Sequence, residues 1–208
     1  MDEAVPARVR EYADQVVAYV RRAIGVALEY DSDTLPLLDH YIRTLDPEGD
    51  TPVKPETIAL VVSTAGAYFG EVVRRRLGGR WEATAANDIE WRVVLPTGLN
   101  FAPAGIVAAA IAKADLEDLD SEFEAPPRMR PYVQQALERM GEVSVEDYYS
   151  LCGRLDTLEH LHEVLVAVAA QMMGPAASDD DLEPRGRGAP RDGGVPEAAS
   201  DEPSGPLN

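Results

Sequence analysis

The chain has 208 residues, of which 45% are hydrophobic, and it carries a formal net charge of −18 at neutral pH. This charge argues against binding to nucleic acid or to an anionic membrane surface, because phosphate groups are bound by clustered Lys and Arg side chains. The single cysteine, Cys152, excludes an internal disulfide and fits a reducing compartment.

The first predicted element is a helix over residues 3–24, which keeps its apolar side chains on one side and ends at Gly25. The residues before it lack the charged-then-apolar pattern of an export signal. No segment is both long enough and free enough of charge to cross a bilayer. We therefore expect a cytoplasmic protein.

A short extended segment, residues 26–30, then leads to Asp31-Ser32-Asp33, whose side chains are suited to capping a helix. Leucine and isoleucine at helical spacing predict that helix over residues 35–45, with Pro36 in the first turn, where a missing N–H is tolerated. Residues 46–54 contain two prolines and a glycine, which predicts a loop.

Residues 57–81 form the segment around which we expect the fold to be organised. Apolar residues recur there at spacings of three and four. Gly66 and Gly70 leave another side of the helix without bulky side chains. A helix that is apolar or small nearly all round is buried, with neighbours on several sides. Three arginines in its last turns and the glycine pair at 78–79 mark its C-terminus.

A small antiparallel sheet is predicted next. Residues 80–85 and 89–95 flank Ala86-Asn87-Asp88, a sequence typical of a hairpin turn. Residues 99–102 add a possible third strand. Pro103 then suits the first position of a helix that runs to about residue 114.

Helices dominate the remaining part. After an acidic, solvated connection at 115–127, helices are predicted over 131–140 and, starting at Ser144, over a long last element that reaches residue 173. An apolar seam runs along that last helix, made of Leu151, Leu155, Leu158, Leu161, Leu165, Val168 and Met172. The seam suits docking on the domain or on a second copy of the chain, and Gly153 favours the first. Residues 174–208 are rich in Gly, Pro, Ser and acidic residues and are predicted to be a disordered tail.

Few residues suggest catalysis or metal binding. Asp156, Glu159, His160 and Glu163 share one face of the last helix. The same residues are typical of a solvated helix face, and no second helix carries a matching Glu-x-x-His motif, so no metal site is predicted. The sequence also lacks a G-x-S-x-G elbow, a Walker loop and a dinucleotide-binding loop. We accordingly predict no catalytic residue and no cofactor.

Glu71 is the polar residue that stands out, because it interrupts an otherwise apolar helix. Arg75 follows four residues later, in the orientation that favours an ion pair. One interpretation is a partly buried pair that fixes how the helix meets the hairpin. The other is a ligand-binding recess lined by Glu71, Arg74 or Arg75, and Trp81.

The central helix also carries a resemblance. Residues 65–74 read AGAYFGEVVR and residues 77–81 read LGGRW. This pattern resembles a group of small bacterial domains of unknown function, in which a Y-[FL]-G-E/T-V-[IL]-R helix is followed by G-G-x-W and a short hairpin. The helix at 32–41 and the Leu-Pro-x-Gly turn at 95–98 are similar as well, so that the resemblance covers about residues 26–112. It implies the fold and no activity, ligand or catalytic residue.

Together these patterns predict one α+β domain over residues 1–173, with a small sheet of two or three antiparallel strands packed on a mostly helical layer. The absence of a catalytic motif, the acidity and the predicted tail favour a non-catalytic protein that binds another protein, as an adaptor, a regulator or an immunity-like factor. Two alternatives stay open. One is a small-ligand-binding protein or enzyme that uses a recess around Glu71, Arg75 and Trp81, and the other is a homo-oligomer formed through the last helix.

Overall fold

A computed structural model gives the structure of residues 5–45 and 53–173, all of which belong to one unit, Met1–Gly174. The helices are α1 (Ala7–Ile24), α2 (Leu35–Arg43), α3 (Pro55–Leu77), α4 (Pro103–Ala112), α5 (Arg130–Met140), α6 (Val145–Tyr148) and α7 (Leu151–Met173). The strands are β1 (Arg80–Glu82), β2 (Arg92–Val94), β3 (Asn100–Phe101) and β4 (Phe123–Glu124). The predicted disordered tail lies outside the described residues, as does most of the predicted loop at 46–54.

The fold is α+β, and α3 lies at its centre, packed against both α1 and α4. Tyr68 and Phe69 are fully buried there. Gly66 and Gly70 explain how the neighbours come so close: a Cβ on Gly66 would lie 2.8 Å from the Cα of Ala104, and one on Gly70 only 2.3 Å from the Trp81 ring. The prediction that this helix is interior is confirmed.

Burial also accounts for the apolar character of α3. Of the described helices, it is the one long and apolar enough to cross a membrane by length and composition. This differs from the expectation that no segment meets those criteria. However, 67% of its apolar window is buried inside the protein, as in the core helix of a folded domain.

The sheet has one strand more than predicted. Within the described residues four short strands form an antiparallel sheet in the order β1-β2-β3-β4, with Trp81 opposite Val93 and Phe101 opposite Phe123. Strand β4 lies in the segment 115–127, which was wrongly predicted to be only a solvated connection. The Phe101 and Phe123 rings pack edge to face, with their centroids 6.1 Å apart, and this cross-strand contact stabilises β4. With two residues, β4 is too short to show the alternation of apolar and polar residues that predicts a strand.

The second strand of the hairpin is shorter than predicted. Residues 88–90 form a 3-10 turn, and β2 begins only at Arg92. The Asn87 side chain accepts a hydrogen bond from the Ile89 N–H, and the Trp91 indole donates to the Ala85 carbonyl at 3.0 Å. These local bonds replace the strand ladder at this end of the hairpin.

The predicted long last helix is interrupted near its start. Ser144 caps α6 as predicted, by accepting from the Asp147 N–H at 3.1 Å, but α6 ends at Tyr148 and α7 begins at Leu151. Asp39 of α2 accepts hydrogen bonds from the N–H groups of Leu151 and Cys152, at 2.7 and 3.1 Å, and so caps α7 from a distant part of the chain. This tertiary contact adds to a local cap, because the Ser150 Oγ accepts a hydrogen bond from the Gly153 N–H at 2.9 Å.

The seam of α7 packs inside this protein. Its leucines at positions 151, 155, 158, 161 and 165 are all buried, while Val166 and Met172 are exposed. The favoured prediction, docking on the domain, is confirmed from Leu151 to Leu165, while Val168 is only partly buried. A dimer formed through those leucines would require α7 to leave the core.

Candidate functional site

The buried carboxylate of Glu71 is the centre of a polar cluster on α3. Its residue is only 3% exposed. Arg74 donates to both carboxylate oxygens, at 2.9 and 3.0 Å, and Arg75 donates its Nε–H to Oε1 at 2.7 Å. The Trp81 indole N–H from β1 donates to Oε2 at 3.2 Å. One carboxylate therefore joins two guanidinium groups of α3 to the first strand.

This environment fixes the charge of Glu71. Burial by itself raises the pKa of the carboxyl group, but the hydrogen bonds from Arg74, Arg75 and Trp81 outweigh burial and hold that pKa below its ordinary value. The carboxylate is thus ionised at neutral pH and already accepts several hydrogen bonds. Such a group stabilises its neighbours and is poorly suited to act as a general acid or base near pH 7.

Tyr30 connects this cluster to α1. The Arg75 guanidinium lies over its ring, with Cζ 4.4 Å from the ring centroid. At the other end, the Tyr30 hydroxyl donates to Asp14 Oδ1 at 2.5 Å. Burial, and then this bond to Asp14, raises the pKa of Tyr30, so its hydroxyl keeps its proton at neutral pH.

The backbone of Tyr30 is also unusual. Its φ of +59° lies in the left-handed region, which costs energy for a residue other than glycine. The strained residue is held because its N–H donates to the hydroxyl of Tyr68 at 2.9 Å, and the same hydroxyl lies 2.9 Å from Thr34 Oγ1. Strained residues of this kind are concentrated at functional sites.

These side chains line a recess between α1 and α3, called here the α1–α3 recess, with a volume of about 260 Å³. It is lined by Val5, Val9, Arg10, Ala13, Asp14, Tyr30, Glu71, Arg74 and Arg75. The aliphatic members form an apolar part, and the arginines and carboxylates form a charged part. A small ligand with both characters matches this lining.

The structure brings the four predicted site residues together, although their roles differ. Glu71, Arg74 and Arg75 line the α1–α3 recess, whereas Trp81 is buried behind Glu71 and is not part of the lining. The predicted ion pair of Glu71 with Arg75 is present, and Arg74 and Trp81 join it. Sequence reasoning missed the second wall, because no pattern places the α1 side chains or the Tyr30 ring opposite α3.

Polar side chains of α7 contact neighbouring elements of the fold. Glu159 forms an ion pair with Arg76 of α3, and His162 lies 3.3 Å from Thr97 Oγ1 through its Nδ1. Among the residues that the structure describes, no group of three or more His, Cys, Asp and Glu side chains is arranged to hold a metal ion. Burial, followed by the neighbouring Asp39, raises the pKa of the Cys152 thiol to about 12, so Cys152 is an unreactive thiol at neutral pH.

Arg154 on α7 is a buried charged side chain without a full set of hydrogen-bond partners among the described residues. Its Nε and Nη2 have no hydrogen-bond acceptor. The guanidinium instead lies over the Tyr148 ring, with Cζ 4.1 Å from the centroid, and near Phe123. Cation–π attraction from these rings offsets part of its desolvation and ties α6 to α7.

No family model matches the chain, and neither the curated proteins nor the solved structures gave a significant match. The resemblance described from residues 65–81 therefore stays a prediction.

Proposed function

We propose that this protein is a non-catalytic binding protein and that its α1–α3 recess holds a small polar ligand. The observation that carries the proposal is the Glu71 carboxylate, whose two oxygens accept hydrogen bonds from Arg74 and Arg75. These bonds fix both guanidinium groups at the wall of the recess. Pre-positioned charged groups beside an apolar wall favour binding, because little ordering remains to be done when the ligand arrives.

Three features support binding over catalysis. The Glu71 carboxylate already accepts hydrogen bonds from three side chains. The lining contains no His, Ser or Cys, so it offers no ordinary nucleophile or proton acceptor poised near pH 7. Tyr30 keeps its proton because its pKa is raised. The recess can orient a ligand, but it lacks the groups that most often transform one.

Thermal unfolding with a panel of small anionic, neutral, cationic and zwitterionic metabolites tests the proposal. A ligand present at about 100 times its Kd adds about 2.7 kcal/mol of stability. The site is checked by NMR, because the Trp81 indole N–H donates to Glu71 of the lining, whereas the Trp91 indole N–H donates to Ala85, which is not a lining residue. A stabilising ligand is expected to shift the Trp81 signal and to leave the Trp91 signal in place. No stabilisation by any member of the panel would contradict the proposal.

A second candidate is protein binding through the surface between α5 and α6. Exposed apolar side chains lie close together in sequence there, namely Leu137, Met140, Val143, Val145 and Tyr148. Exposed acidic residues are interleaved with them in sequence, including Glu138, Glu142 and Glu146. An apolar patch with acidic edges suits a partner segment that is apolar at its centre and carries Lys or Arg at its ends.

Affinity capture with the intact protein tests this second candidate. Replacing Val143 and Val145 by Ser is expected to abolish recovery of a partner, and the matched change of the exposed Val166 on α7 is expected to preserve it. Loss of fold is not expected, since both valines are more than half exposed. Equal recovery by all variants would exclude this surface as the binding site.

A further inference from the structure

We propose that the ligand of the α1–α3 recess is a small aliphatic amino acid in its zwitterionic form. Its carboxylate would bind Arg75, its ammonium group would bind Asp14, and its short side chain would lie against the partly exposed Val5. This inference rests on the proposed function and names the chemical class of ligand.

Arg75 is built to receive a carboxylate. Its Nε–H is bound to Glu71 at 2.7 Å and its face lies over the Tyr30 ring, so the guanidinium plane is fixed on two sides. Among the described residues its two terminal nitrogens have no hydrogen-bond partner, and the side chain is 48% exposed. A fixed guanidinium with free terminal N–H groups matches the two oxygens of a carboxylate.

Asp14 supplies the opposite charge at the other end of Tyr30. Its Oδ1 accepts a hydrogen bond from the Tyr30 hydroxyl, while within the described structure Oδ2 has no hydrogen-bond partner. An ammonium group has three N–H donors and no acceptor, and a carboxylate oxygen is its natural partner. Because one tyrosine contacts both Asp14 and Arg75, the two charges are held at a set separation.

The charge balance of the recess favours a zwitterion over a multiply charged anion. Its lining contains three arginines and two carboxylates, which leaves one positive charge in excess. A phosphate or dicarboxylate would bring more negative charge than this excess and would leave Asp14 facing a like charge. A zwitterion brings no net charge and satisfies both signs.

Size and polarity restrict the ligand further. The volume of about 260 Å³ is slightly below the range of about 300–1,000 Å³ that is typical of pockets for drug-sized ligands. The apolar part of the lining comes from Val5, Val9 and Ala13. A short aliphatic side chain fits this part, whereas a large or strongly polar side chain does not.

NMR titration with L-valine, valinamide and N-acetylvaline tests the inference. L-valine is expected to shift the Trp81 indole signal in a saturable way, and each derivative is expected to bind at least tenfold more weakly because it lacks one of the two charges. Arg75→Gln is expected to abolish the shift, and Arg76→Gln, an identical change on a residue outside the recess, to preserve it. Asp14→Asn is expected to weaken binding at least tenfold, and Glu11→Gln on the same helix to leave it unchanged.

Each other outcome has a definite meaning. If N-acetylvaline binds as well as valine, or if Asp14→Asn has no effect, the ammonium contact is wrong. If an anionic, neutral or cationic metabolite shifts the Trp81 signal and no amino acid does, the zwitterion is excluded while the proposed function stands. If no compound shifts that signal in protein whose Trp91 signal shows the native fold, both proposals fail.

Discussion

At the scale of the residue, Glu71 shows how one buried charge organises a site. A lone carboxylate at 3% exposure would be strongly destabilising, but the Arg74, Arg75 and Trp81 donors compensate its desolvation. Because these donors come from both α3 and β1, the cluster also fixes how the helix meets the sheet. The same bonds that stabilise the fold therefore also fix the position of Arg75 at the wall of the α1–α3 recess.

The pH dependence of stability is expected to reveal this role. The folded pKa of Glu71 is lowered, so the stability that its charge provides is present above its ordinary pKa and is lost as pH falls through the folded value. Glu71→Gln is expected to cost about 3 kcal/mol at neutral pH, because it removes the buried negative charge that the Arg74 and Arg75 guanidinium groups bind. Urea unfolding from pH 7 to pH 3 should show this difference from wild type shrinking as pH falls.

Glu82→Gln is the matched control for that experiment, because Glu82 is exposed and pairs with Arg80 on the same short strand. It is expected to change stability by less than about 0.5 kcal/mol at every pH. A Glu71→Gln difference that stays constant down to pH 3 would contradict the assignment of a lowered pKa.

At the scale of the element, a carboxylate from a distant part of the chain caps the start of α7. Asp39 on α2 is buried and binds the first N–H groups of α7 with both oxygens. Those N–H groups have no partner inside their own helix, and the positive end of the helix dipole favours an anion beside them. Asp39 thus links two helices that are more than a hundred positions apart in the chain.

Asp39→Ala is expected to destabilise the protein by about 2 kcal/mol, since it removes two hydrogen bonds to a buried charged acceptor. Asp156→Ala removes an exposed carboxylate of α7 itself and is expected to change stability by less than about 0.5 kcal/mol. Urea unfolding followed by circular dichroism measures both. Equal effects of the two changes would mean that Asp39 acts only through net charge.

At the scale of the whole molecule, one core collects the apolar faces of α1, α2, α3, α4 and α7. The leucine seam of α7 belongs to this core as far as Leu165. Beyond it, Val166 and Met172 are exposed and are too few to form a coiled-coil interface. A folded protein therefore has little of the seam left for a second copy of the chain.

Leu158 and Val166 test this reasoning on a single helix. Leu158 is fully buried and Val166 is 50% exposed. Leu158→Ala is expected to lower the free energy of unfolding by about 3 kcal/mol through the lost contacts and the cavity, and Val166→Ala by less than about 0.5 kcal/mol. Light scattering is expected to give one mass for both variants and the wild type. A dimer that dissociates in the Leu158 variant would revive the self-association hypothesis.

Much of this architecture can be predicted from residues that are close together in the sequence. The spacing of apolar residues predicts α1, α2 and α3, and Pro103 predicts the start of α4. Gly25 and Gly78 end their helices with left-handed backbones at φ +84° and +73°. Near-neighbour patterns also single out Glu71 and Arg75, because a charge pair four residues apart on an apolar helix is visible without a structure. Helix positions, helix ends and one wall of the recess follow from such local rules.

The tertiary structure alone decided the other parts. Strand β4, the contact of α2 with the start of α7, and the second wall of the α1–α3 recess each depend on residues far apart in sequence: Phe123 on Phe101, Asp39 on Leu151, and Asp14 and Arg75 on Tyr30. A local sequence pattern predicts the backbone geometry of one segment and which of its faces is buried. Which segments meet depends on the packing of the entire core, and so the site is complete only in the folded chain.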